Sequence, residues 1–213
     1  MRREELKKLF SSFTEEDYYK NFDFHIHSNE SDGKMTPNEI VEQAKKKGLK
    51  YISICDHNTI DAYLNSNILS EDIVIPGVEF DCYYKGVLIH ILAYGIDIDR
   101  KEIKSLFAES KWGRSLNIYR ALKLRNPQKV IEKINLIGGM AVLAHPCCYW
   151  TPNLDEFIKG LKLMGLGGVE VYYPYKGLRS IVKFHSRNKI AAIADKYNLV
   201  KTGGSDSHGK KLL

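Results

Sequence analysis

The apolar runs of this chain end, one after another, in histidine or in a carboxylate. Around residues 21–27 the side chains alternate, placing Asp23, His25 and His27 on one face and Phe22, Phe24 and Ile26 on the other, which is the two-residue period of a strand. The run Tyr51 to Cys55 leads into Asp56-His57-Asn58-Thr59, and the run Ile73 to Phe80 carries Glu79 near its end. Met140 to Ala144 leads into His145, and Val200 to Gly204 into Asp206 and His208. A chain that repeatedly sends a buried strand into a metal-capable side chain is collecting those side chains at one end of a sheet.

The stretches between the strands read mostly as helices. Thr36-Pro37-Asn38-Glu39 holds the signals of a helix start: Thr36 as N-cap, Pro37 at the first turn and Glu39 to complete a capping box. Gly48 ends that helix. Lys85-Gly86 is too short a link for a crossover helix, so Val87 to Tyr94 should pair antiparallel with the preceding strand and carry His90 in a hairpin. A helical region is expected over roughly 99–124, then further helices after Asn126-Pro127, at roughly 153–164 and at roughly 178–198. Gly168 to Tyr172 is the remaining strand. About seven strands in largely βα order suggest a barrel or a distorted barrel, with the active face at the strands' C-terminal ends.

His-x-His on a strand presents two imidazoles on one face, close enough to grip one ion. Taken alone, the pattern equally suits hydrogen-bonded core histidines. The distribution decides: of seven histidines, all but His185 lie at or beside an expected strand end. His185, in Phe184-His185-Ser186-Arg187, is read as part of a surface helix. Asp32 before Gly33 and Asp206 within Gly-Gly-Ser-Asp could each be turn residues, but Glu79 follows an apolar strand, and burying an unpaired glutamate is costly. A cation explains Glu79 most economically, and a mixed imidazole and carboxylate set suits Mn, Fe or Zn rather than Ca or Mg alone.

Composition removes several alternatives. No apolar run approaches the length of a membrane helix, so no membrane partner is expected. The beginning, MRREELKKLF, is charged from its second residue and shows no signal peptide, so the chain reads as cytoplasmic. Cys55, Cys82, Cys147 and Cys148 form no CxxC pair and are read as free thiols. Cys147 and Cys148 follow His145-Pro146, but a thiolate ligand is not expected where other donors are plentiful. The net charge of +6 favours an anionic substrate, and the lysines are read as spread along the chain, with no dense basic block interleaved with aromatics.

The ordered set Phe22-Asp23-Phe24-His25-Ile26-His27-Ser28, Ser31-Asp32-Gly33, Cys55-Asp56-His57-Asn58-Thr59, Pro76-Gly77-Val78-Glu79, Ala144-His145-Pro146 and Gly203-Gly204-Ser205-Asp206-Ser207-His208-Gly209 resembles the signature motifs of the PHP (polymerase and histidinol phosphatase) family, in the family's order. The resemblance implies an α/β fold, a distorted (β/α)7 TIM-like barrel, over residues 21–213 after an N-terminal helical arm of residues 1–20. It also implies three divalent metal ions per chain, Mn, Fe or Zn, and no organic cofactor. His25, His27, Glu79 and Asp206 would hold the first ion; Glu79 would bridge to a second, held also by His90 and His145; Asp32, His57 and His208 would hold the third. Asp23 and Asp56 would orient imidazoles.

The activity so implied is that of a metal-dependent phosphoric ester hydrolase. Its substrate would be a small phosphate monoester, resembling a nucleotide or nucleoside bisphosphate, cleaved by attack of a metal-bound hydroxide on phosphorus. Glu79 and Asp206 would act through the cluster. Arg114 and Arg120 are the candidates for substrate phosphate, with Arg179 behind them, and a solvated helix face is the plain alternative for each. Asp97 to Gly139 holds little more than two helices, less than the lid carried by relatives of the small phosphoesterase branch. Three other functions remain open at the level of sequence: a nuclease trimming short oligonucleotides, an amidohydrolase-type barrel and a non-catalytic PHP module.

Overall fold

The computed structural model describes residues 3–18, 20–115, 117–174 and 183–212. Their strands form two sheets. The smaller pairs β1 (Phe22–Ile26) with β2 (Tyr51–Ile54) in parallel. The larger has five strands in sequence order: β3 (Gly77–Tyr84), β4 (Val87–Tyr94), β5 (Met140–Leu143), β6 (Gly168–Tyr172) and β7 (Val200–Gly203). β4 is antiparallel to both neighbours, and β5, β6 and β7 run parallel. The expected hairpin is present, turning on Lys85 and Gly86, both at positive φ as a two-residue turn requires.

The two sheets meet through isolated bridges, Ile26 with Ser207 on one side and Ile52 with Val74 and His57 with Glu79 on the other. The ladders of the described residues therefore form a mixed α/β fold of two sheets, not one continuous closed ring. β3 begins later than its hydropathy suggests and runs through Asp81 to Tyr84, because its register with β4 continues to the pair Tyr84–Val87.

The helices, including the single turn α3 (Asp61–Leu64), cover the sheets. α2 (Pro37–Lys46) starts at Thr36, whose side chain accepts from the Glu39 amide while Glu39 accepts from the Thr36 amide at 2.7 Å. The helical region expected over 99–124 is three short pieces: α4 (Lys101–Lys104), α5 (Trp112–Ser115) and α6 (Asn117–Leu122). The break has a long-range cause, since the Ala108 amide leaves the helical path to donate to the Asn58 carbonyl at 2.8 Å. α7 (Pro127–Leu136) and α8 (Leu154–Leu163) lie where the sequence places them. Of the helix expected at 178–198, α9 (Arg187–Lys196) is present, capped by Ser186; residues 178–182, and Arg179 with them, lie outside the described residues. His185 precedes the cap and is buried, so it belongs to neither a helix nor the surface.

α1 (Arg3–Ser11) packs inward. Leu6 and Phe10 are fully buried, and the Phe10 ring meets Phe24 at 4.8 Å and Tyr94 at 5.3 Å, both edge-on. Leu92 and Tyr94 join this apolar floor, and His90 lies on the same face of β4 by the period of two. Because β4 runs against its neighbours, its early residue His90 reaches the end where the parallel strands finish.

Candidate metal centre

Glu79 is at the centre of the site. It lies on β3, 1% exposed, and five imidazoles from four separate stretches of chain surround its two oxygens. Oε2 lies 3.3 Å from His25 Nε2, 3.2 Å from His27 Nε2 and 3.3 Å from His57 Nδ1; Oε1 lies 2.9 Å from His90 Nδ1 and 3.2 Å from His145 Nε2. Asp206 Oδ1 approaches His27 Nε2 at 3.2 Å, and Asp32 Oδ1 approaches His208 Nε2 at 3.2 Å. All nine residues named as ligands from the sequence are thus gathered in one place.

Three side chains there sit on strained backbone. Asn58, His145 and Asp206 have φ of 56°, 24° and 50°, the left-handed region that residues with a Cβ rarely enter. His145 does so directly before Pro146, which further narrows its choices. Such strain persists where the surrounding structure enforces it, and here it turns the side chains after β2, β5 and β7 inward.

The donors fit metal ions. His25, His27 and Asp206 offer atoms within 4.8 Å of one another, as do His27, Asp32, His57 and His208, and as do His57, Glu79 and His90. Two ligands each about 2.0–2.2 Å from one ion lie about 3 Å apart, and the His25 and His27 Nε2 atoms stand at 3.1 Å. The buried Nδ1 atoms of His27, His57 and His145 make no hydrogen bond. Several carboxylates share this interior, which is costly without cations.

In the protein alone, protons on the imidazoles supply part of that positive charge. Burial disfavours charged His90, but Glu79 and Asp81 outweigh it and hold its pKa up at about 10. His27 is likewise lifted to about 9 against burial, by Asp206 and Glu79. For His57 burial wins and pushes the pKa down to about 4. Glu79 is held well below the carboxylate range: burial opposes ionisation, and the surrounding imidazoles overcome it.

Three residues of the site, Asp81, Glu170 and Tyr173, were not singled out from sequence. Asp81 faces the same way as Glu79 two residues earlier, with Oδ1 3.2 Å from His90 Nε2 and 3.4 Å from His57 Nδ1. It also accepts from the Asn58 side-chain amide. Glu170 on β6 lies 3.1 Å from His25 Nδ1, which fixes that ring with Nε2 toward Glu79, and accepts from the His145 amide at 2.8 Å. The Tyr173 hydroxyl donates to Asp206 at 2.9 Å. The alternation Glu79-Phe80-Asp81 and the polar middle of Val169-Glu170-Val171 were the available signals.

Asp23 and Asp56 serve backbone and hydroxyl groups rather than rings. Asp23 accepts from the Ser205 amide at 2.8 Å, and burial raises its pKa to about 6. Asp56 accepts from the Ser28 amide and from the hydroxyls of Ser28 and Ser31, shaping the loop before Asp32. The two arginines separate. Arg120, nearly buried, forms a two-point bridge to Asp81 and reaches Asp32 at 2.8 Å. Arg114 instead bonds Thr59 and Asp61. Cys147 and Cys148 lie with their sulfurs 3.6 Å apart, beside the site but among none of the metal-capable groups.

Comparison with known proteins agrees with this geometry. The PHP domain model matches residues 23–172, well over half of the chain, and the chain belongs to that family. A phosphoribosyl 1,2-cyclic phosphate 1,2-diphosphodiesterase of Eggerthella lenta is 26% identical over 88% of this chain and 94% of that protein. A 5'-3' exoribonuclease of Haemophilus influenzae is 32% identical over 59% of this chain and 46% of its own length. Among solved structures, an amidohydrolase of Chromobacterium violaceum with bound sulfate and no metal shares the fold, with a TM-score of 0.75 at 20% identity over 89% of this chain and 88% of that one. A protein of Bifidobacterium adolescentis described as a candidate metal-dependent phosphoesterase does so with a TM-score of 0.71 at 23% identity, over 90% and 88%. No helix among the described residues is long and apolar enough to cross a membrane.

Proposed function

We propose that this chain is a metal-dependent phosphoesterase acting on a small phosphate monoester of nucleotide-like kind, on a distorted (β/α)7 barrel whose two sheets are drawn together at the site. One observation carries the proposal: Glu79 offers one oxygen to His25, His27 and His57 and the other to His90 and His145. A carboxylate so placed suits a bridge between two cations. His25, His27, Glu79 and Asp206 would hold one ion, Glu79, His90 and His145 a second, and Asp32, His57 and His208 a third, with Mn, Fe or Zn matching the donors. Such ions supply polarisation of a phosphoryl oxygen and a nucleophilic water at neutral pH.

The chain's own groups do the rest. Glu170 keeps His25 in one ring orientation, and Tyr173 keeps Asp206 facing His27. Arg120, within reach of Asp32, carries a guanidinium suited to two phosphate oxygens at once, and Asp81 holds it at the site. Arg114, committed to Asp61 and Thr59, is the weaker partner for phosphate. Hydrolysis of an aryl phosphate should be lost on chelation and regained with Mn, Fe or Zn, with phosphodiesters and amides assayed beside it. Full turnover after exhaustive chelation would refute the proposal.

A further inference from the structure

Beside the candidate metal centre, α5 and α6 together show solvent four large apolar side chains, where α7 and α8 show one each, Leu136 and Leu163. Trp112 is 62% exposed, Ile118 71%, Tyr119 50% and Leu122 77%. Large apolar side chains so displayed mark a surface that something covers. The Trp112 and Tyr119 rings lie 6.2 Å apart at a tilt of 36°. Residues 111–125 also carry Lys111, Arg114, Arg120, Lys123 and Arg125, and no aspartate or glutamate. This is a basic block interleaved with aromatics, a pattern that a reading of lysines alone misses because three of the five cations are arginine.

The surface is tied to the centre at several points. The Gly113 carbonyl accepts from the Asn58 side chain at 3.3 Å, one residue from His57. Arg120, next to Tyr119, reaches Asp32 and Asp81. Behind α6, a cleft of about 250 Å³ walled by Leu88, Ile89, Ala121 and Leu124 opens on His90 and Arg120. Among the described residues, Lys111 and Lys123 make no ion pair and keep their charge for a partner.

We propose that this surface is a stacking platform for a short single-stranded oligonucleotide, which it leads to the metal centre. A strand of unpaired bases matches both halves of the surface: flat rings for Trp112 and Tyr119, and phosphates for Lys111 and Lys123, since Arg114 and Arg120 are paired with carboxylates and Arg125 with the Leu106 carbonyl. A second copy of the chain fits it poorly, because a two-fold contact would set the basic block against itself. A sugar phosphate would use the cations and leave the rings bare. The inference rests on the phosphoesterase proposal and deepens it: the nucleotide-like monoester would be the terminal phosphate of a short strand whose following bases lie on the platform.

The test is fluorescence anisotropy of a labelled single-stranded hexanucleotide with hydrolysis-resistant phosphorothioate links, bound to the metal-loaded protein. The parent should bind it, more weakly as salt rises. The double variant Trp112→Ala/Tyr119→Ala should weaken binding about tenfold or more, as the loss of one or two stacked bases implies. Trp112→Phe/Tyr119→Phe, which keeps the rings, should bind close to the parent, and so should Trp150→Ala, which removes an exposed indole outside the surface. Thermal melting of each variant would establish that it is folded. Failure of the parent to bind, or equal binding by the Ala/Ala variant, overturns the platform. So does a parent dimer that the Ala/Ala variant breaks, since a second copy would then be the occupant. Turnover of aryl phosphate without hexanucleotide binding removes the platform alone. Ring-dependent binding without turnover of any ester supports the platform and removes the phosphoesterase proposal.

Discussion

At the scale of single residues, the sharpest contrast lies between Glu79 and Asp32. Both are acidic and both touch histidines, but Glu79 spreads five imidazoles over two oxygens, whereas Asp32 pairs with His27, His57, His208 and Arg120 at one side. Glu79→Gln keeps the volume and one oxygen and removes the charge, so two cations would lose a shared ligand. Elemental analysis should show metal content falling by more than one ion per chain, with turnover nearly abolished. Asp32→Asn should cost at most about one ion. Parent-like metal content in Glu79→Gln would mean that Glu79 does not bridge. Of the nine residues gathered at this candidate site, eight were legible in the sequence because each belongs to a short motif beside an apolar run, whereas His90, inside the hairpin strand, was reached only through the family resemblance. Asp81 and Glu170 were not, because each sits inside a strand whose alternation is also that of an ordinary solvated face. His185 was misplaced because its neighbours Ser186, Arg187 and Asn188 are polar, while its own burial is decided by contacts distant in sequence.

At the scale of elements, propensity and caps placed α2, α7, α8 and the β3–β4 hairpin closely, since those ends are set by side chains within a few residues. The region after β4 was not legible for the opposite reason. Its helices are cut by hydrogen bonds to the site, such as Ala108 to Asn58, which no local periodicity encodes. α1 shows the same limit: its charged sequence is read as a helical arm before the domain, and which side of it packs, with Leu6 and Phe10 filling the floor beneath Phe24 and Tyr94, depends on contacts distant in sequence. Phe10→Ala should therefore cost about 3–5 kcal/mol, the loss usual for a buried phenylalanine. Denaturant unfolding would measure it. A change below about 1 kcal/mol would show α1 to be detachable, as a surface arm would be.

At the scale of the molecule, the metal centre is also where the two sheets meet. His25 and His27 belong to the small sheet or its end, and Glu79 and His90 to the large one. Among the described residues, the backbone between the sheets provides isolated bridges and no ladder, through bonds such as His27 to Ser207 at 3.0 Å and Asn58 to Glu79 at 2.8 Å. Without cations, the carboxylates there depend on protonated imidazoles for neutralisation. With cations held as proposed, side chains from both sheets would share common ions, and the seam would gain bonds that the ladders do not supply. Each site filled at a hundredfold excess over its Kd contributes about 2.7 kcal/mol, and a domain of this size gains about 2–4 °C in Tm per kcal/mol. Removing the metals should thus lower Tm by at least about 5 °C for each site emptied. The loss should also be uneven. Amide exchange at His27, Asn58 and Glu79, whose bonds cross the seam, should quicken on chelation far more than exchange at Ile91 and Ala93, inside the β3–β4–β5 ladders. A uniform quickening would mean that the metals stabilise the fold as a whole without joining its two sheets, and no change in either group would mean that the seam holds without them.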